Sequence, residues 1–146
     1  MRAVVTRVSS ASVAIEGQTV GAIEKGFLIL LGVGPEDTEA ICDKLADKIC
    51  NLRVFEDENA KMNLSLEQVG GSILVVSQFT LYADTSKRRP GFSHAAKPDL
   101  AIPMYERFMD RCRQNGFHVE HGQFGADMKV TSVNDGPVTI LYDTAE

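Results

Sequence analysis

Two short polar segments of the chain carry the side chains that could do chemistry, and the first of them follows an apolar run. Residues 71–76 are mostly aliphatic after a Gly-Gly break, which predicts a strand buried on both faces. The polar segment that follows contains Ser77, Gln78, Phe79 and Thr80. Alternate side chains of a strand share a face, so the first and third of these should point one way and the others the opposite way. Polar groups at the end of a buried strand indicate a candidate site.

The second polar segment is residues 134–139, which lie between two predicted strands. It contains Asn134, Asp135, Gly136, Pro137, Val138 and Thr139. Taken alone, the segment predicts a hairpin turn, because Asp-Gly favours turns and proline lacks the N–H that a strand ladder needs. A functional interpretation is also open. Glycine lets the main chain approach a ligand closely, and a cis proline can direct two consecutive carbonyls together.

The charge balance limits the partners that the chain can bind. Its 146 residues include 15 Lys+Arg and 20 Asp+Glu, which gives a net charge of −5. Such a surface does not bind nucleic acid indiscriminately, so DNA is not an expected partner. One stretch could make a local RNA contact, and it contains Lys87, Arg88 and Arg89. It lies in a long polar connection between Leu81 and Pro98, a length typical of functional loops, although it could equally be a solvated basic loop.

The length of the apolar runs and the number and spacing of the cysteines indicate the cellular compartment. No run reaches the roughly 20 apolar residues that cross a bilayer, and the start of the chain lacks the apolar core of a signal peptide. The three cysteines, Cys42, Cys50 and Cys112, are odd in number and form no CxxC pair. These features predict a cytoplasmic protein, away from membranes, with buried reduced thiols. No His, Asp or Cys set has ligand spacing, so no metal or other cofactor is expected.

Periodicity and turn residues predict two helices and about seven or eight strands. Alternation on either side of residues 16–17 predicts a hairpin, and the glycine-flanked apolar run 27–31 predicts a central strand. One helix is predicted to begin at Pro35 and the other at Asp99, each with apolar residues at helical spacing. Three further extended pieces are predicted at 117–120, 127–133 and 138–142. The expected fold is a single α+β domain over residues 1–146, with a mostly antiparallel sheet that curls into a barrel or sandwich.

The two polar segments together resemble the D-aminoacyl-tRNA deacylases, which were first described as D-tyrosyl-tRNA deacylases. Both segments at this spacing form a specific signature, and the resemblance covers nearly the whole chain. The other matching stretches are Arg7-Val8 with Ala11-Ser12-Val13, Leu30-Leu31-Gly32-Val33, Lys61-Met62-Asn63-Leu64, Arg89-Pro90 with Phe92, and Gly125-Ala126-Asp127-Met128. The family usually has a glycine between Lys87 and the Arg-Pro that follows. Here Arg88-Arg89-Pro90 follows Lys87 at once, so the geometry of this shortened basic stretch, and with it the docking of tRNA, should differ from the family's.

The resemblance implies a homodimeric hydrolase without a cofactor. It implies that the cis Gly136–Pro137 pair of each subunit enters the active site of the other subunit and selects the chirality of the substrate. The residues implied to be catalytic or to line that site are Ser77, Gln78, Phe79 and Thr80. Those implied to support it are Asn134, Thr139 and Met128, and those implied to contact tRNA are Lys87, Arg88 and Arg89. The implied reaction is hydrolysis of the ester that joins a D-amino acid to the 3′ end of tRNA. Glycine mischarged on tRNA(Ala) is an implied second substrate, so that the enzyme would proofread translation.

The hydroxyls of the first segment allow two mechanisms for this hydrolysis. Backbone N–H groups and the Ser77 hydroxyl could form an oxyanion site, in which each donor contributes about 2.7–4 kcal/mol. Thr80 could instead be a nucleophile, but its hydroxyl needs a neighbouring base, and no histidine lies near either segment in sequence. Gln78 could equally satisfy backbone groups, and Thr139 could be a local hydrogen-bonding residue.

Main-chain oxygens could distinguish D- from L-aminoacyl substrates by binding the α-ammonium group, which all substrates share. An L side chain would then collide with the main chain, whereas a D side chain would not, and glycine would escape rejection. Because the ester is already activated and has a 2′-hydroxyl beside it, we expect RNA-assisted hydrolysis rather than a side-chain nucleophile. Two alternatives stay open, a threonine-nucleophile esterase that uses Thr80 and a non-catalytic RNA-binding dimer.

Overall fold

The computed structural model describes residues 1–146 and is built around a first strand of 14 residues. The strands are β1 (Arg2–Ile15), β2 (Gln18–Ile23), β3 (Gly26–Gly32), β4 (Phe55–Glu56), β5 (Met62–Leu64), β6 (Ser72–Ser77), β7 (Val119–His121) and β8 (Lys129–Asp143). The helices are α1 (Glu39–Cys50) and α2 (Pro98–Gln114), and a 3-10 helix spans Phe79–Tyr82. None of the helices is both long enough and apolar enough to cross a membrane.

Strand β1 organises the six-stranded sheet because it pairs with three others. It pairs with β3 over its first half and with β2 over its second half, and β8 pairs along nearly its whole length. All three pairings are antiparallel, whereas β3–β6 and β6–β7 are parallel. Strands β4 and β5 form a separate hairpin. The predicted α+β fold with a mostly antiparallel, curled sheet is therefore confirmed.

The core lies on both faces of the sheet. A cluster of 25 buried residues fills the space between the sheet and the helices, and a cluster of 7 covers the opposite face. Strand β6 contributes to both, because Ile73 and Val75 belong to the larger cluster and Leu74 and Val76 to the smaller one. This explains its continuously apolar sequence, since a strand that is buried on both faces has no solvent side.

The helices form near their predicted positions, but their first residues differ. Helix α1 begins at Glu39 rather than Pro35, because the Thr38 hydroxyl accepts a hydrogen bond from the Ile41 N–H and caps the helix. The carboxylate of Asp37 is used elsewhere and accepts a hydrogen bond from the Gly34 N–H at 2.7 Å. Helix α2 begins one residue before Asp99, with a proline in its first turn.

The two helices are joined by a ladder of ion pairs. Arg107 binds Asp43 through two nitrogens at 2.9 and 2.8 Å, and Arg111 binds Asp47 through two at 2.8 Å. Hydrogen bonding from Arg111, with a further bond from Asn115, lowers the pKa of Asp47 to about 2. The ladder holds α1 and α2 in register against the sheet.

The first polar segment does not continue the strand, which corrects the expectation of alternating faces. Strand β6 ends at Ser77, and the chain turns at Gln78 into the 3-10 helix. The turn packs over Gly32 at the end of β3, where an added Cβ would lie 3.1 Å from the Gln78 carbonyl oxygen. The Gln78 N–H still donates to the Leu31 carbonyl at 2.8 Å. Because β3 ends there, the segment has no neighbouring strand on that side to keep it extended.

Candidate active site

A cavity of about 540 Å³ opens at the end of β6. Its volume lies within the range of ligand-binding pockets. Its walls come from the end of β6, the return of the long loop before α2, and the chain leading into β8, as Val76, Ser77, Gln78, Phe79, Phe92, Ala95, Ala96, Lys97, Pro98, Phe124, Gly125, Ala126, Met128 and Val130. We call this the β6 cavity. Most of its walls are apolar, with polar groups concentrated where the strand ends.

Two aromatic rings stand at the edge of the β6 cavity. Phe79 and Phe92 pack edge to face with ring centroids 5.1 Å apart. Phe79 is nevertheless 53% exposed, although a large apolar side chain would ordinarily be buried. An exposed ring at the mouth of an apolar cavity can stack against a flat ligand such as a nucleobase.

The hydroxyl of Thr80 has an amide as its hydrogen-bond partner, not a base. Gln78 donates from Nε2 to Thr80 Oγ1 at 2.6 Å, and neither a histidine nor a carboxylate bonds to that hydroxyl. Thr80 is exposed and is not part of the cavity wall, whereas Ser77 and Gln78 are. The structure therefore brings together four predicted site residues, Ser77, Gln78, Phe79 and Met128, around one cavity.

The second polar segment is a bulge inside one strand, so the hairpin interpretation is wrong. Thr139 pairs with Thr6 and Asn134 pairs with Val8, so residues 135–138 lie opposite the single residue Arg7. The chain before and after the bulge pairs with the same strand, β1, which a hairpin turn could not do. Gly136 has φ +135°, and the peptide bond between Gly136 and Pro137 is cis, as the resemblance implies.

Side-chain hydrogen bonds close the base of this bulge. Asn134 accepts from the Val138 N–H at 2.8 Å through Oδ1 and donates from Nδ2 to Thr139 Oγ1 at 3.0 Å. Asn134 and Thr139 thus act on the bulge itself. Gly136 and Pro137 are exposed and are not part of the wall of the β6 cavity in the same chain. A single copy does not bring the two polar segments together.

Arg7 anchors the bulge, and the sequence reasoning missed this role. It is the one charged side chain among the buried residues, at 6% exposure. Its Nε donates to the Asp135 carbonyl at 2.8 Å, and its Nη1 donates to the Val54 carbonyl at 2.6 Å. A signal was present, because Arg7 occupies the inward phase of an alternating strand, two residues after Val5, where a charge needs dedicated partners.

Gly136 is required by the space around it. A Cβ at this position would lie 2.8 Å from Val138 Cγ2 and 2.9 Å from Arg7 Nη2. Its positive φ is also unfavourable for other residues. The glycine therefore lets the Arg7 side chain pack directly against the main chain of the bulge.

The three predicted basic residues lie at the tip of a closed loop beside the cavity. Asp84 and Gly91 exchange two backbone hydrogen bonds at 2.8 and 2.9 Å, and they close residues 84–91 into a loop that we call the basic loop. Lys87, Arg88 and Arg89 are all exposed on it. The chain that leaves the loop lines the cavity from Phe92 onward, so the basic loop is joined directly to the cavity wall. No group of three or more metal-ligating side chains is present.

Sequence comparison places these features in a known family. A family model described as D-Tyr-tRNA(Tyr) deacylase matches residues 4–143. The chain belongs to this family. A D-aminoacyl-tRNA deacylase of Shewanella baltica (strain OS195) is 61% identical over 140 residues, covering 95% of this chain and 97% of that one. A protein of the same name from Thermosipho africanus (strain TCF52B) is 55% identical over 145 residues, covering 99% and 97%.

Two solved structures have the same fold as this deacylase family member. One is described as a c-Myc DNA unwinding element binding protein and is 40% identical, with a TM-score of 0.92 and 98% of each chain covered. The other is described as a probable eukaryotic D-amino acid tRNA deacylase. At 16% identity, a TM-score of 0.80 and 97% of each chain covered, that second likeness shows the fold alone.

Proposed function

We propose that this deacylase hydrolyses D-aminoacyl-tRNA at two sites of a homodimer, each built from the β6 cavity of one subunit and the bulge of the other. Membership of the D-Tyr-tRNA(Tyr) deacylase family gives the coarse activity, which is deacylation of D-aminoacyl-tRNA by a hydrolase. The products are the free D-amino acid and tRNA. Glycine esterified to tRNA is a second substrate in this proposal, and the physiological role is proofreading in translation.

The proposal depends on the separation of the two polar segments within one copy. The β6 cavity of a chain is not lined by the bulge of that same chain. The cavity is lined by Ser77, Gln78 and Phe79, whereas Gly136 and Pro137 lie exposed elsewhere. Strand β8, which bears the bulge, pairs with β1 and has no strand on its outer edge. An open strand edge is a template for a second chain.

Exposed apolar side chains along β8 favour a second copy as the occupant of that edge. Leu141 is 76% exposed, Val133 54% and Val130 39%. Large exposed apolar residues concentrated on one strand are typical of a subunit interface. Val130 also lines the β6 cavity, so an interface along β8 reaches the cavity mouth.

The β6 cavity suits the 3′-terminal nucleoside of tRNA with its amino acid. The exposed ring of Phe79 offers a stacking surface for the base, and the apolar walls offer room for varied side chains. The first intrahelical bond of the 3-10 helix comes from the Leu81 N–H to the Gln78 carbonyl, so the N–H groups of Phe79 and Thr80 have no acceptor within the helix. These two donors and the Ser77 hydroxyl can stabilise the oxyanion of the hydrolysis.

Selection of handedness comes from the main chain of the partner's bulge. Its carbonyl oxygens bind the α-ammonium group and leave no room for an L side chain. Glycine carries no side chain to collide, so it is hydrolysed as well. Arg7 binds the Asp135 carbonyl. This contact fixes the main chain of the bulge next to the carbonyl groups that bind the α-ammonium group.

The terminal 2′-hydroxyl of the tRNA, and no protein side chain, assists the attack on the ester. Thr80 lacks a base, since its hydroxyl bonds to the Gln78 amide. Thr80→Ala should therefore retain most of the deacylation rate, and removal of the 2′-hydroxyl should slow it severely. An acyl-enzyme trapped on the native protein, with activity lost in Thr80→Ala, would instead establish the threonine-nucleophile alternative.

The deciding assay compares hydrolysis of matched D- and L-aminoacyl-tRNA by the purified protein. We expect rapid release of the D-amino acid and none of the L-amino acid, and no hydrolysis of either would leave a non-catalytic RNA-binding dimer. Sedimentation should show a dimer that Leu141→Asp converts to an inactive monomer. Val20→Asp is the matched control, because Val20 is 49% exposed on β2, away from β8. A fully active Leu141→Asp monomer would refute the composite site.

A further inference from the structure

A second cavity, of about 640 Å³, adjoins the β6 cavity and is not used by the reaction described above. The two cavities share the same wall segments. In the 3-10 helix, Phe79 lines the β6 cavity and Tyr82 lines the second one. In the chain after the basic loop, Phe92 lines the first and His94 the second. We call the second cavity the polar groove, because Asp84, Ser86, Ser93 and other polar residues line it.

One planar group in the polar groove is held rigidly. The Arg2 guanidinium carbon lies 4.5 Å from the centroid of the Tyr82 ring, so one face of the plane is covered. Arg2 Nε donates to Asp143 Oδ2 at 3.1 Å, and Nη1 donates to the Leu81 carbonyl at 2.8 Å. The side chain is still 41% exposed and lines the groove, so part of the guanidinium group is accessible from it.

Such a group is suited to stack on a base. Guanidinium planes stack on exposed bases, and stacking recognises single-stranded nucleic acid with little demand on sequence. The ion pair with Asp143 already balances the charge of Arg2, so its flat surface is the feature that remains available. The distance also fits. Phe79 and Tyr82 are one 3-10 turn apart, about 6 Å along the helix axis, which is comparable with the reach of one nucleotide.

We propose that the polar groove binds the nucleotide that precedes the 3′-terminal adenosine, with its base stacked on Arg2. This inference rests on the proposed function, because it assumes that the terminal nucleoside occupies the β6 cavity. The base at that position in tRNA is cytosine, and its exocyclic amine donates to the Asp84 carboxylate, a pairing common in base recognition. The phosphates then run past Lys87 and its neighbours on the basic loop.

The ionised state of Asp84 agrees with its role as an acceptor. The backbone N–H of Ser86 bonds to the carboxylate at 3.0 Å, and this bond lowers the pKa of Asp84. His94 Nε2 lies 3.8 Å from Asp84 Oδ2. The Asp84 side chain is 42% exposed and lines the groove, so its carboxylate stays accessible there.

The test compares three small substrates that differ only in the preceding nucleotide. They are a D-amino acid esterified to adenosine, to the dinucleotide CpA and to the dinucleotide UpA. We expect the native enzyme to hydrolyse the CpA ester with a kcat/KM about tenfold above the adenosine ester. Arg2→Met should remove this advantage while leaving the adenosine ester unaffected, and Arg2→Lys should not restore it, because lysine has no plane to stack.

Arg113→Met is the matched control. Arg113 is 42% exposed and pairs with Asp110 at 3.0 Å, close to the values for Arg2, but it lies near the end of α2. It should leave hydrolysis of all three esters unchanged. Asp84→Asn gives a second readout that does not depend on Arg2. The native enzyme should prefer the CpA ester to the UpA ester, and this variant should lose that preference. Both dinucleotide esters should still be hydrolysed with a higher kcat/KM than the adenosine ester.

The possible outcomes distinguish an error in the groove proposal from an error in the proposed function. If the native enzyme hydrolyses none of the D-aminoacyl esters or tRNAs, the proposed function is wrong. If it hydrolyses them but treats CpA and adenosine esters alike, the groove is not a nucleotide subsite. Equal loss on both substrates in Arg2→Met, at an unchanged melting temperature, would overturn the inference as well. If Arg2→Met does not fold, an Asp84→Asn enzyme that still prefers CpA over UpA overturns it.

Discussion

Replacing Arg7 should destabilise the protein and abolish its chiral selectivity together. Arg7 is buried and donates to the carbonyls of Asp135 and Val54, in two segments that are far apart in sequence. Arg7→Met removes both donors and leaves two carbonyl oxygens without their partner. A hydrogen bond from a charged group contributes about 1.5–3 kcal/mol. Because Arg7 makes two such bonds, we expect a loss of about 3–6 kcal/mol.

That loss should lower the melting temperature by roughly 10 °C, since 1 kcal/mol shifts it by about 2–4 °C in a protein of somewhat greater length. Urea unfolding measures the free energy, and hydrolysis of matched D- and L-aminoacyl-tRNA measures selectivity. The ratio of the D rate to the L rate should fall sharply, because the bulge loses the side chain that fixes its main chain. Arg7→Lys should have an intermediate effect, since one ammonium group cannot reproduce the fork of a guanidinium.

Arg113→Met serves as the control here too, because an exposed ion pair contributes no more than about 1 kcal/mol. Its stability and selectivity should match those of the native protein. An Arg7→Met variant within about 1 kcal/mol of native stability, with D selectivity intact, would refute the reasoning. The bulge would then be held by Asn134 and its neighbours alone.

Two further substitutions and one labelling experiment test other parts of the structure. Gly136→Ala should cost about 1–3 kcal/mol and most of the D-aminoacyl-tRNA hydrolysis, because the new Cβ meets Arg7 at a positive φ; unchanged urea unfolding would contradict this. Asp47 has a lowered pKa in the folded state, so its contribution is present above the unfolded value of about 4 and is lost as the pH falls toward about 2. As the pH falls from about 4 to about 2, the urea midpoint should decrease less steeply in Arg111→Gln than in the native protein. The same dependence on pH in both proteins would contradict this. The hydrogen bond that the Cys112 thiol donates to Cys50 raises the pKa of Cys112, and burial raises it further. Native protein should therefore resist thiol alkylation until it unfolds, and rapid labelling of the folded protein would show otherwise.

Periodicity predicted the secondary structure wherever burial and local pattern agree. Strand β6 is apolar because both of its faces are covered, so its position could be inferred from the sequence. The hydrophobic stripes of α1 and α2 were equally visible. The starting residue of α1 was not, because Asp37 is bound to Gly34 and to the N-terminal ammonium group, and those contacts come from distant parts of the fold.

The bulge in β8 could not be predicted from its local sequence. An Asp-Gly-Pro sequence favours a turn, and nothing within residues 134–139 reveals that both flanks pair with the same strand. The resemblance to a family implied a role for Gly136 and Pro137 without showing what holds them in place. Arg7 supplies that support from the opposite strand, as a buried charge whose partners are main-chain oxygens.

The family, the fold class and four of the residues around the β6 cavity (Ser77, Gln78, Phe79 and Met128) could be predicted from the sequence, because they follow from motifs and from the period of apolar side chains. The tertiary structure alone decided that the polar segment turns at Gln78, that the second segment is a bulge, and that one copy keeps the two apart. Such facts depend on which strands pair and where each pairing ends. Pairing is a long-range property of the whole chain, so a short stretch of residues does not encode it.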